Sequence, residues 1–156
     1  MEEALTLTLK KRTAMRIEYQ HVDIVQEEHA ILKDVNFRAD SGEFVFLTGK
    51  VGTGKSSLLK TFYGELDVHT GVARVLDWDM VRIKRRRIPA LRKRLGIVFQ
   101  DFQLLNDRNV HANLDFVLKA TGWRKKKERN ARIEEVLRQV GMTEKAGKMP
   151  YQLSGG

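Results

Sequence analysis

The stretch FVFLTGKVGTGKSSLLK, residues 44–60, decides how this chain is read. Residues 44–48 are continuously apolar, as a strand covered on both faces of a parallel sheet must be. Residues 49–56 follow at once and match the pattern G-x-x-x-x-G-K-[ST]. Leu58, Leu59, Phe62 and Tyr63 then fall on one helical face, and Gly64 ends the helix. The order is strand, glycine loop, helix. Gly49, Gly52 and Gly54 let the backbone wrap closely, with Lys50, Val51 and Thr53 between them, so that successive N–H groups and the positive helix end face phosphate oxygens. Lys55 supplies a positive charge for the β- and γ-phosphates of a nucleoside triphosphate, and the Ser56 hydroxyl is placed to ligate Mg²⁺. Ser57 adds a hydroxyl beside the α-phosphate. A glycine turn that merely caps a helix is the bland alternative, and the strand before it and helix after it argue against that reading.

Working outward, residues 16–25 and 33–39 read as strands flanking a charged turn at 26–29, forming a small antiparallel layer. Gly71 precedes a short strand at 72–76, and Pro89 begins a short helix. Residues 95–99 (LGIVF) are a second apolar strand that ends at Gln100. Beyond Gln100 the period becomes helical. Val110, Leu114, Val117 and Leu118 mark one helix; Ile133, Val136, Leu137 and Val140 mark another, stopped by Gly141. The chain closes on LSGG, residues 153–156.

Composition narrows the class. No stretch approaches the roughly 20 apolar residues of a membrane-spanning helix, and the amino terminus lacks the basic and apolar regions of a signal peptide, so a cytosolic site is expected. Cysteine is absent, which excludes thiol chemistry and cysteine-metal sites. The net charge of +9 is concentrated in Arg82, Lys84, Arg85, Arg86, Arg87, Arg92, Lys93 and Arg94, and again at residues 124–127. Such runs meet phosphate, nucleic acid or anionic lipid, or remain solvated faces.

Phosphate loops serve kinases, GTPases and ABC ATPases alike, so the rest of the chain must choose. Gln100 at a strand end, then a helical insert, then LSGG is the order of ABC nucleotide-binding domains, which this chain resembles from about Ile17 to Gly156. Within them it is most similar to the cell-division FtsE family, in residues 44–60, in QDFQLLNDRNV (100–110) and in YQLSGG (151–156). The fold this implies is α/β: a P-loop NTPase with a small antiparallel β layer and a helical insert, cut off after LSGG. Residues 1–15 would be a tail, with Met15 a plausible start. Residues 16–100 would form the phosphate-loop core, and 101–156 a helical subdomain.

The resemblance also implies ATP and Mg²⁺ as cofactors and ATP hydrolysis coupled to an FtsX-like membrane permease at the inner face of the plasma membrane. Gln100 would reach Mg²⁺ and the attacking water and link the site to that permease. Ser154, Gly155 and Gly156 would contact the γ-phosphate held by the opposite subunit of a head-to-tail homodimer. The basic runs would add attraction to an anionic lipid surface, and Phe102, Leu104 and Leu105 would face the permease. The family's Walker B aspartate, catalytic glutamate and switch histidine all follow LSGG. The reading frame is therefore expected to continue, and the 156 residues alone to be inactive. An ATPase of a lipoprotein-release or macrolide-type exporter is the alternative, followed by a nucleic-acid-associated ABC ATPase and a P-loop kinase. Where the family commonly stacks an aromatic on adenine, this chain has Asp23, Ile24, Val25 and Gln26, so base choice is expected to be slack unless Tyr19 or His29 supplies the ring.

Overall fold

The computed structural model describes residues 15–154, and the tail expected at 1–14 lies outside them. The chain divides into two compact units, one up to Gly96 and one from Ile97.

In the first unit, β1 (Met15–Gln26), β2 (His29–Asp40), β3 (Val72–Val75) and β4 (Trp78–Asp79) form one sheet in the order β2-β1-β3-β4, with every neighbouring pair antiparallel. β1 is interior because it offers apolar side chains to the core along its length. Strict alternation would bury positions two apart, yet Tyr19, Val22 and Ile24 are the buried ones. A register shift between Tyr19 and Val22, with His21 at φ +52°, supplies the odd step and keeps the core face continuous.

Helix α1 (Lys55–Phe62) packs on that face. The Tyr19 hydroxyl donates to Thr61 Oγ1 at 2.9 Å, and Thr61 Oγ1 donates on to the Leu58 carbonyl at 2.6 Å. Phe62 meets Tyr19 edge-on, with centroids 5.2 Å apart, and stacks on Phe37 at 5.7 Å. Burial pushes the Tyr19 phenol up to about 12, so it stays a proton donor at neutral pH. Leu91 of α2 (Ile88–Arg92) closes the cluster with Val68, Val75 and Met80.

Two strands expected from the sequence do not form. Residues 44–48 and 95–99 join no ladder; Phe44 and Phe46 are 83% and 79% exposed, and Val98 is 94% exposed. Among the described residues, the Phe44 and Phe46 rings meet each other edge-on at 4.8 Å. The physical reason is non-local. A central parallel strand needs a hydrogen-bonded neighbour and a cover on both faces, and the described residues supply neither.

In the second unit, α3 (Val110–Thr121) and α4 (Lys126–Gln139) pack together. Asn109 caps α3 by accepting from the Ala112 N–H at 2.8 Å. The Val110 and His111 N–H groups, which have no carbonyl a turn behind them, donate to Lys148 and Ala146 carbonyls. Ile133 and Leu137 are buried, as the periodicity of α4 predicts, whereas Val117 of α3 is 55% exposed. Buried Arg129 pairs through Nε with Asp115 and donates Nη1 to the carbonyls of Trp123 and Arg124, joining α4, α3 and their connection. The Arg129 guanidinium, with Lys119 2.7 Å away, lowers the Asp115 carboxyl to about 2. No helix among the described residues is long and apolar enough to cross a membrane.

The β1–β2 turn stores strain. Gln26 pairs with His29, leaving Glu27 and Glu28 as a two-residue loop with φ +50° and +66°. Both angles belong to a type I′ turn, which Asn-Gly fits and bulky side chains resist. Replacing Glu27→Asn and Glu28→Gly together is expected to raise unfolding stability by roughly 1–3 kcal/mol, since left-handed non-glycine residues cost about 1–2 kcal/mol each. Denaturant unfolding measures it, and no gain would show that the turn is unstrained.

Candidate phosphate-binding site

Residues 49–54 leave the apolar segment and enter α1 through three glycines at φ +152°, +81° and +84°. Gly54 is the N-cap, left-handed and without a side-chain cap, and its carbonyl receives the Leu58 N–H at 2.9 Å. A Cβ there would lie 2.7 Å from Ile31 Cγ2 and 2.9 Å from Leu32 Cγ. Strand β2 thus backs directly onto the loop, and only hydrogen fits between them. At Gly49 a Cβ would come within 3.0 Å of Thr53 Oγ1.

The loop holds its own shape. Lys55 Nζ donates to the Gly49 carbonyl at 2.8 Å and to the Lys50 carbonyl at 2.6 Å, and Thr53 Oγ1 donates to that same Lys50 carbonyl at 2.8 Å. The carbonyls are thereby turned onto the ammonium, and an ammonium has three donors. The first turn of α1 carries no acidic residue to compete for its N–H groups. Ser56 is exposed and Ser57 half-buried in that turn, while Val51 at the loop tip is fully exposed. A concave loop with a lysine inside and a helix start behind it suits a phosphate chain. The Ser56 hydroxyl is a hard oxygen of the kind Mg²⁺ takes, although the described residues hold no cluster of three or more His, Asp or Glu ligands.

The remaining predicted residues lie in the second unit. Gln100 is exposed in a turn, and Phe102 and Gln103 just after it have φ +58° and +46°. Ser154 lines a groove of about 960 Å³ with Phe102, Leu104, Met142, Tyr151 and Leu153. Gly155 and Gly156 lie outside the described residues. Leu104 is 45% exposed, but Leu105 is half-buried, and its N–H and carbonyl are both held by the Asn113 side chain, at 2.9 and 3.0 Å. Asn113 and the Ile31–Leu32 backing escaped the sequence reading because neither belongs to a local motif. Tyr19 is 1% exposed and committed to Thr61, so it offers no face to a base. His29 is exposed, with Nδ1 2.8 Å from the Glu27 carbonyl.

Comparison with known proteins identifies the family of the chain. The family profile described as ABC transporter matches residues 32–156. The chain is 38% identical over 125 residues to the cell division ATP-binding protein FtsE of Mycobacterium tuberculosis, covering 80% of this chain and 54% of that protein. It is 34% identical over 147 residues to the methionine import ATP-binding protein MetN of Nocardia farcinica, covering 92% and 44%. Among solved structures, it superposes with a TM-score of 0.77 and 26% identity on the ATP-binding cassette MJ0796, a dimer in a post-hydrolysis state bound to ADP and Pi, covering 89% of this chain and 63% of that one. The chain belongs to the ABC transporter ATP-binding family, and its fold is that of an ABC nucleotide-binding domain. It spans about half the length of the curated relatives it matches.

Gly54→Ala is expected to weaken Mg-ATP binding at least tenfold, because the methyl group must displace β2 or the loop, and tenfold corresponds to about 1.4 kcal/mol. Titration calorimetry reads the change; unaltered affinity would mean that the loop does not hold the phosphates. Val25, 40% exposed, and Gln26, also exposed, end β1 and are the two places to install a ring. Val25→Tyr and, separately, Gln26→Tyr are expected to tighten ATP by up to about tenfold at one of the two positions, through stacking worth roughly 1–3 kcal/mol. A starting protein that already prefers ATP to GTP by more than that factor would reveal a platform elsewhere.

Proposed function

We propose that this chain is the nucleotide-holding part of an ABC ATPase that couples ATP hydrolysis to a membrane permease, with cell division as its setting and an FtsX-like protein as its partner. The observation that carries the reading is the self-braced loop, with Lys55 seated on the Gly49 and Lys50 carbonyls at the start of α1. In this reading residues 49–57 cradle the phosphates, Lys55 follows the β- and γ-phosphates, and Ser56 with Gln100 would hold Mg²⁺, which supplies charge neutralisation when bound. Gln100 orients the attacking water. Ser154, Gly155 and Gly156 would present hydroxyl and N–H donors to the γ-phosphate on a second, head-to-tail copy. The 156 residues do not include the water-activating glutamate of the family, so by themselves they turn over little ATP. The likeness to FtsE supports the cell-division setting; the likeness to MetN, which covers more of this chain, supports a methionine-type importer as the second reading.

The permease would dock at the groove lined by Phe102, Leu104 and Tyr151, which places the protein peripherally on the inner face of the plasma membrane. Leu104 is the clean probe, because its side chain is exposed while the backbone at Leu105 carries the loop. In the full-length protein, Leu104→Asp is expected to abolish co-purification with the FtsX-type permease and leave Mg-ATP affinity within about twofold, less than 0.5 kcal/mol. Retention of the permease would remove this docking surface, and co-purification with a methionine-importer permease instead would favour the second reading.

A further inference from the structure

The nucleotide reading leaves one charged feature of the first unit unused. Beside β4, a cleft of about 710 Å³ gathers Arg82, Lys84, Arg86 and Arg87 around Trp78, with Asp77 and Asp79 at its edge. The carboxylates are already engaged. Asp77 pairs with Arg94, and Asp79 accepts the Val81 N–H at 3.0 Å and lies 3.8 Å from Arg82 Nε. Arg87 sits over the indole, 5.8 Å from its centroid. Lys84 and Arg86 are exposed and have no carboxylate within ion-pair distance among the described residues. The cluster therefore carries cationic charge that the protein does not neutralise. The second basic run differs: Lys125 pairs with Glu128 at 3.0 Å, and the adjoining cleft contains Glu134 and no aromatic ring.

We infer that this cleft is a contact for the phosphate headgroups of an anionic lipid bilayer, an inference that rests on the membrane-side reading above. Three observations support it. The cations lie at an open surface, with the Arg82 side chain 86% exposed and Lys84, Arg86 and Arg87 exposed beside it. Trp78 lines the cleft with its ring packed against the sheet core and its N–H buried, so it gives the cations an apolar floor. Only one ring is present, and Arg87 already lies over it, so successive nucleic-acid bases would have no platform.

The test uses the full chain with phosphatidylcholine vesicles, with and without phosphatidylglycerol, in a Trp123→Phe background so that Trp78 is the sole tryptophan of the 156 residues and can be excited selectively over the tyrosines. Binding is expected only to the anionic vesicles, weakening as salt is raised, with Trp78 quenched by brominated lipid. Each basic side chain near such a surface contributes about fivefold in affinity, so Lys84→Gln with Arg86→Gln should weaken binding by about 25-fold. Neither side chain has an ion pair among the described residues, and the thermal midpoint should not move. Lys126→Gln with Lys127→Gln should leave binding in place. Equal binding to neutral vesicles, an unchanged affinity in the first double variant, displacement by millimolar inorganic phosphate, or tighter binding to a single-stranded oligonucleotide at the same salt would each overturn the inference. Loss of permease capture in Leu104→Asp alongside intact vesicle binding separates the two readings.

Discussion

A hydrogen bond between two hydroxyls, Tyr19 to Thr61, sits where the first unit's sheet meets α1. Both residues are essentially inaccessible to solvent, so neither group has water as an alternative, and leaving either unpaired would cost about 1–3 kcal/mol. That constraint fixes the depth of α1 on the sheet, and the ring contacts of Phe62 fix its rotation. The start of α1 is then fixed too. The phosphate loop is the piece of chain left to connect an anchored helix to the segment before it.

The same economy explains why β2 touches the loop. Ile31 and Leu32 close on Gly54 to within a hydrogen atom's width, so the loop's curvature is imposed from behind as well as by its own hydrogen bonds. Lys55 and Thr53 brace it from inside. A cradle held from both sides spends little binding energy on ordering itself when an anion arrives. In the second unit Asn113 plays the comparable part, holding residues 105–109 with one side chain so that the segment after Gln100 has a defined course.

How much of this the sequence discloses depends on how local each cause is. The glycine loop at 49–56, the helix after it, the β1–β2 hairpin and α4 all follow from neighbours within a few residues and all form, although β2 begins at His29 rather than at 33 and α4 ends before Val140, which is exposed. Residues 44–48 and 95–99 have equally clear apolar patterns, but strand identity there depends on ladder partners that the described residues do not provide. Buried Asn113 and Arg129 are illegible for the opposite reason: polar residues within helical runs read as solvent-facing until their distant carbonyl and carboxylate partners are known.

Phe44, Phe46 and Val98 have a further consequence for how the chain behaves at high concentration. An uncharged apolar run rich in β-forming residues, with its backbone donors and acceptors open, is a template on which another copy can add a strand. Such association is second order in protein, so residues 15–154 by themselves would lose solubility as their concentration rises.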